Sequence, residues 1–105
     1  MTYHHRNEEI ADDIAIRRAV IADLFARSLS IPIGWHKHRA EASLTLTSPD
    51  RGRIIKIDSY KVYTLDVRQA DGTYKSNRFP CKTVDEAWSM ARQAILLYRP
   101  KNATN

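Results

Sequence analysis

The chain has 105 residues, 43% apolar and 28% charged side chains, enough to bury one modest core and too many apolar groups for a disordered segment. A single cysteine, Cys81, excludes an intramolecular disulfide scaffold and points to a reducing compartment. The formal charge of +5 is what a polyanion-binding domain would carry, and equally what keeps a small domain in solution.

That charge is unevenly spread. Residues 1–34 carry four Lys/Arg against five Asp/Glu, residues 35–80 nine against five, and residues 81–105 four against two. The opening residues Met1 to Arg6 lack the apolar run of a signal peptide, and no stretch approaches the ~18 apolar residues of a membrane span. A cytoplasmic protein without a membrane segment is therefore expected. It forms one domain over residues 1–105, with 1–6 and 100–105 as flexible tails.

In chain order, residues 7–29 read as a helix. Ile10, Ile14, Val20, Ile21, Leu24 and Phe25 form one apolar stripe, with Asn7 suited to the N-cap. Asp13 with Arg17 and Asp23 with Arg27 have the i,i+4 spacing of ion pairs. Ile31-Pro32-Ile33-Gly34 reads as a connector. Ala42, Leu44 and Leu46 alternate with Ser43, Thr45 and Thr47, which predicts a first strand. The run Ser48 to Gly52 reads as a turn, Arg53–Ile57 as a second strand, and Tyr60–Gln69 as a third. Asp71-Gly72 suits the positive φ angles of a tight hairpin, so a fourth strand follows to about Phe79. Thr83-Val84-Asp85-Glu86 has the capping-box pattern and opens a second helix, whose face is Val84, Ala87, Trp88, Ala91, Ile95 and Tyr98 and which Pro100 limits. The expected fold is α+β: an N-terminal helix, a four-stranded antiparallel meander and a C-terminal helix, with both helices packed on one face of the sheet.

Such an arrangement leaves the second sheet face open. Strict alternation turns Arg39, Lys56, Tyr60, Thr64 and Arg68 outward, joined by Tyr74 and Arg78. Cations contact phosphates and aromatic rings stack on unpaired bases, so this set forms a candidate nucleic-acid platform. The same residue types would also line an ordinary solvated sheet face, because Tyr and Thr favour strands and Lys and Arg discourage edge pairing. Trp35-His36-Lys37-His38-Arg39 is the most unusual pentapeptide. Read as a surface loop, it offers Trp35, Lys37 and Arg39 to a partner. His36 and His38 project to one side of an extended chain and are the candidate acid–base pair of a metal-independent ribonuclease or phosphodiesterase. Zinc would need further ligands, and Cys81 with His4 or His5 is a scattered supply, so no metal is assigned. With three glycines and neither a Ser-based elbow nor a phosphate loop, no cofactor is assigned either. Trp88 and Tyr98 read as core, and Cys81 as a small buried residue.

The stretch Tyr63 to Ile95, with its Asp71-Gly72 hairpin, Phe79, Thr83 and Asp85-Glu86-Ala87 opening a helix, resembles two families. One is the arm-type DNA-binding domain of tyrosine recombinases, a likeness that implies a sheet presented to DNA. The other is the HicB-type antitoxins, whose glycine-rich approach to the helix this chain lacks; that likeness implies a protein-binding module. The overall format is similar to short phage-encoded accessory proteins, including anti-CRISPR inhibitors. The expectation is a small non-enzymatic binding protein, monomer or homodimer. It engages nucleic acid or a nucleic-acid-handling protein complex through a basic, Tyr-containing sheet face, as a regulator or inhibitor of host defence would. A small metal-independent ribonuclease or phosphodiesterase using His36 and His38, and an antitoxin-like protein-binding module, are the alternatives.

Overall fold

The computed structural model describes the backbone of residues 2–59, 62–68 and 72–99, and within those ranges the side chains from residue 13 onward. They form helix α1 (Thr2–Ser28), strands β1 (His36–Arg39), β2 (Ser43–Thr47), β3 (Arg53–Asp58), β4 (Val62–Arg68) and β5 (Tyr74–Pro80), and helix α2 (Val84–Leu97). The α+β architecture and the order helix, meander, helix agree with the sequence reading. The sheet is antiparallel in the order β1-β2-β3-β4-β5, so each strand pairs with its neighbour in sequence.

Five strands are present where the sequence predicts four. The additional strand is β1, read above as a loop. His36-Lys37-His38-Arg39 contains no aliphatic residue, so it has no period-two apolar signal. It becomes a strand by pairing with the free edge of β2, with His36 opposite Thr47 and Arg39 opposite Leu44.

Helix α1 also starts earlier than its sequence signals indicate, at Thr2 instead of residue 7. Residues 2–6 are helical, and Asn7 lies within the helix and does not cap it. An asparagine inside a helix costs only ~0.7 kcal/mol relative to alanine, too little to stop propagation. The helix ends where Leu29, Ser30 and Ile31 donate backbone N–H groups three residues back. The Ser28 and Ser30 hydroxyls donate to the carbonyls of Phe25 (2.6 Å) and Arg27 (3.0 Å), adding side-chain donors to the last turn. Asp13–Arg17 and Asp23–Arg27 form the expected ion pairs.

Both helices lie on one face of the sheet. Ile21 and Leu24 from α1 meet Leu44, Leu46, Ile55 and Ile57, and α2 contributes Ala87, Ala91, Ala94 and Ile95. Three alanines on the buried side of α2 let its backbone approach the strands closely. Thr83 caps α2 as predicted, its hydroxyl accepting the Glu86 N–H at 3.0 Å. The Glu86 carboxylate accepts the N–H of Lys82 at 3.0 Å, one residue before the N-cap N–H that a capping box engages. At the other end Arg99 donates to the carbonyls of Leu96 and Tyr98. Arg27 ties the helices together, with a nitrogen 2.7 Å from Asp85 while it also pairs with Asp23.

The β2–β3 turn is built by side chains. Asp50 accepts from the Ser48 hydroxyl and the Gly52 N–H, each at 2.8 Å, and the Ser48 hydroxyl in turn accepts the Arg53 N–H at 2.9 Å. Arg51 is held in the left-handed region at φ 59°. In the β4–β5 hairpin Gly72 has φ 91°, the conformation for which glycine is suited; Asp71 and residues 100–105 lie outside the described residues.

Gly34 is required twice over. Its φ is 99°, and a Cβ there would meet the Pro49 ring at 3.0 Å. Gly34→Ala is therefore expected to destabilise the protein by about 1–2 kcal/mol, measured as a lower urea midpoint with an unchanged m-value. Wild-type stability in this variant would show that the connector yields freely.

Candidate nucleic-acid interface on the open sheet face

The pairing registers align the residues of the uncovered face into transverse rows. One row runs His38, Thr45, Lys56, Thr64, Arg78 across all five strands. Beside it lies His36, Thr47, Ile54, Asp66, Ser76, and beyond that Arg68 faces Tyr74. With strands spaced ~4.8 Å apart, the first row spans about 19 Å and places side chains able to carry positive charge on alternate strands.

Lys56, Arg68 and Arg78 are exposed and form no ion pair with another described residue. The two acidic residues described on this face are both held by protein donors. Asp58 accepts the Val62 N–H at 3.3 Å, and Asp66 accepts the Ser76 hydroxyl. Among the described residues, cations without ion-pair partners thus stand beside engaged carboxylates.

Tyr74 is 44% exposed, and its hydroxyl donates to the Arg51 carbonyl at 2.8 Å. The ring is thereby tethered from β5 to the β2–β3 turn. A surface depression of about 510 Å³ is lined by Gly34, His36, Thr47, Ile54, Arg51 and Tyr74, among others. Sequence reasoning missed Arg51 and Ile54, because a basic residue in a turn and an isoleucine in a strand are both ordinary locally.

Several residues predicted for this surface lie elsewhere. Trp35 is only 6% exposed and packs edge-on against Tyr98, with ring centroids 5.3 Å apart and planes at 75°. It is a core residue and has no surface to offer a partner. The positive φ at Gly34 turns the chain so that the indole enters the helix-covered layer. Arg39, predicted to point outward, shares the covered side instead. It lies opposite Leu44, and its guanidinium carbon sits 5.6 Å from the centroid of Phe25. Lys37, opposite Leu46, faces the same way. The direction of β1 follows from its register with β2, which nothing in the pentapeptide specifies. Tyr60 lies outside the described residues. His36, His38, Lys56, Arg68, Tyr74 and Arg78 come together on the open face.

His36 and His38 stand on the same side of β1, with Cα atoms about 7 Å apart by the strand rise. Their row neighbours on β2 are Thr47 and Thr45. No group of three or more His, Cys, Asp or Glu among the described residues is placed to hold a metal ion. Cys81 is buried beside Met90, 3.5 Å from its sulfur, and burial pushes its thiol pKa up, away from nucleophilic use. Among the described residues no helix is long and apolar enough to cross a membrane.

Fold and site together define an α+β meander with one helix-covered face and one open face bearing cations and a tethered tyrosine. No family model, no curated protein and no solved structure matches the chain.

Proposed function

We propose that this is a non-enzymatic binding protein whose open sheet face engages nucleic acid, free or within a nucleoprotein complex. The observation that carries this reading is the His38–Lys56–Arg78 row, flanked by Arg68 and Tyr74, on a face that neither helix covers. Three permanent cations without carboxylate partners among the described residues suit a phosphodiester chain, and their neutralisation of phosphates releases counterions. A protein with this surface could act as a regulator or inhibitor in a mobile element.

Binding of a fluorescein-labelled oligonucleotide, followed by anisotropy over a salt series, tests the proposal. The wild-type protein should bind at low salt and weaken linearly on a log–log plot. Replacing Lys56, Arg68 and Arg78 together with glutamine should reduce the slope by about 2, at ~0.7 for each single-strand phosphate left without its cation. Absence of binding at low salt, or an unchanged slope in the triple variant, would defeat the proposal. Cleavage of the oligonucleotide that disappears in a His36→Ala, His38→Ala double variant would replace it with a nuclease.

A second reading is favoured by a different surface. Leu29, Leu96 and Leu97 are each 60% exposed or more and Ile33 is fully exposed; Leu96 also lines a groove with Ile31, Pro32, Trp88 and Arg92. Exposed apolar side chains and a groove that one of them lines suit a protein partner, as in an antitoxin-like module. Such binding would be nearly independent of salt and sensitive to Leu96→Asp, whereas nucleic-acid binding would ignore that change.

A further inference from the structure

The open face is not uniform, and its asymmetry bears on which form of nucleic acid it takes. Resting on the reading above, we infer that the ligand is an unpaired strand. Its phosphates lie along the His38–Lys56–Arg78 row, and one base is received in the depression between His36, Ile54 and Tyr74.

Charge orients the backbone. The Asp66 carboxylate stands in the row beside Lys56 and Arg78, so a phosphate there would meet like charge, whereas the His38–Lys56–Arg78 row contains no acid. Phosphates are therefore kept off the Asp66 row. Bases then extend toward the other side, where Ile54 and Pro49 supply an apolar floor and His36 and Tyr74 supply rings. His36 and Ile54 stand one outward step, about 7 Å, from the phosphate row, comparable to the reach from a backbone phosphate to its base, and Tyr74 stands a second step beyond, closing the far side of the depression.

The depression suits a base for reasons beyond size. Its volume of about 510 Å³ falls in the range of ordinary ligand sites and is ample for one nucleotide. Tyr74 is preorganised, since its hydroxyl bond to the Arg51 carbonyl holds the ring before any ligand arrives. Less rotamer freedom is lost on stacking as a result. Arg51, kept at positive φ by the Ser48–Asp50 network, lies at the rim, and Arg68 stands directly opposite Tyr74. A base stacked on Tyr74 would have a guanidinium on either side for stacking and cation–π contact. A duplex keeps its bases stacked on one another and cannot fill this depression without extruding one.

The test compares labelled single strands, ribo- and deoxyribo-, with the matching duplex, using wild type, Tyr74→Ala, Tyr74→Phe and His36→Ala. Single strands of either sugar should bind wild type more tightly than the duplex does. Tyr74→Ala should weaken single-strand binding between about fivefold and a hundredfold and leave duplex binding unchanged. Tyr74→Phe, which keeps the ring, should retain most of the affinity, and His36→Ala should fall between. Equal weakening for strand and duplex, or an unaffected Tyr74→Ala variant, overturns the base site while leaving the charge-driven reading intact. Failure of every probe to bind at low salt removes both. Thermal melts of the variants separate weakened binding from a damaged fold, and the exposed position of Tyr74 predicts melting close to wild type.

Discussion

Trp35→Ala is expected to destabilise the protein by about 3–5 kcal/mol, the range for truncating a large aromatic in a well-packed interior. Trp35 is buried, and its ring meets Tyr98 edge-on at 5.3 Å, so truncation leaves a void between the start of β1 and the end of α2. The surrounding elements are anchored elsewhere and cannot easily collapse into it. Urea unfolding measures the loss directly. Trp35→Phe should recover part of it, since a smaller ring still fills some of the space. Were Trp35 a partner-contacting residue, as the pentapeptide suggests in isolation, the alanine variant would keep wild-type stability and lose only binding. Stability within about 0.5 kcal/mol of wild type would therefore refute its place in the core.

A second large effect is expected at alkaline pH. Tyr63 is 2% exposed, its hydroxyl has no hydrogen-bond partner among the described residues, and burial raises its pKa to about 12 from an ordinary 10. Below pH 10 both folded and unfolded chains keep the phenol proton, and the group adds no pH dependence. Between pH 10 and 12 the unfolded chain loses that proton while the folded chain retains it, so stability falls as pH rises. One pKa unit corresponds to 1.36 kcal/mol, giving a loss of about 2–3 kcal/mol by pH 12. Tyr63→Phe removes this component. The difference in urea stability between wild type and variant should widen by more than 1 kcal/mol from pH 8 to pH 11.5, and parallel curves would refute it. Near neutrality the same substitution should be neutral or stabilising by up to about 1 kcal/mol, because it deletes an unpaired buried hydroxyl and keeps the ring against Phe79, 5.7 Å away. Truncation to alanine would instead be costly.

The Tyr63 hydroxyl stands apart from the proposed site. It points among core groups, with Arg53 and Cys81 as its electrostatic neighbours. The working tyrosine of the open face is Tyr74, and alternation along the strands separates the two. Moving a side chain by one residue along β4 or β5 would exchange the covered face for the open one.

Much of this molecule is legible residue by residue. The stripe Val20, Ile21, Leu24, Phe25 marks a helix, the alternation Leu44, Thr45, Leu46 a half-buried strand, and Thr83 the start of α2. Each pattern is set by local periodicity or by hydrogen bonds a few residues apart, and each is found where it is expected. The outward positions of Lys56, Arg68, Tyr74 and Arg78 follow from the same alternation once the buried face is known. Other features depend on partners distant in sequence. His36 to Arg39 becomes a strand because β2 has an unpaired edge, and its register with Leu44 and Leu46 sends Arg39 toward Phe25 while His36 and His38 join the open face. Gly34 and Pro49 meet across the β2–β3 turn and direct Trp35 inward. The row His38–Lys56–Arg78 exists only when five strands are in register. No local pattern encodes such a row, because its members are up to 40 residues apart and are aligned by backbone pairing alone.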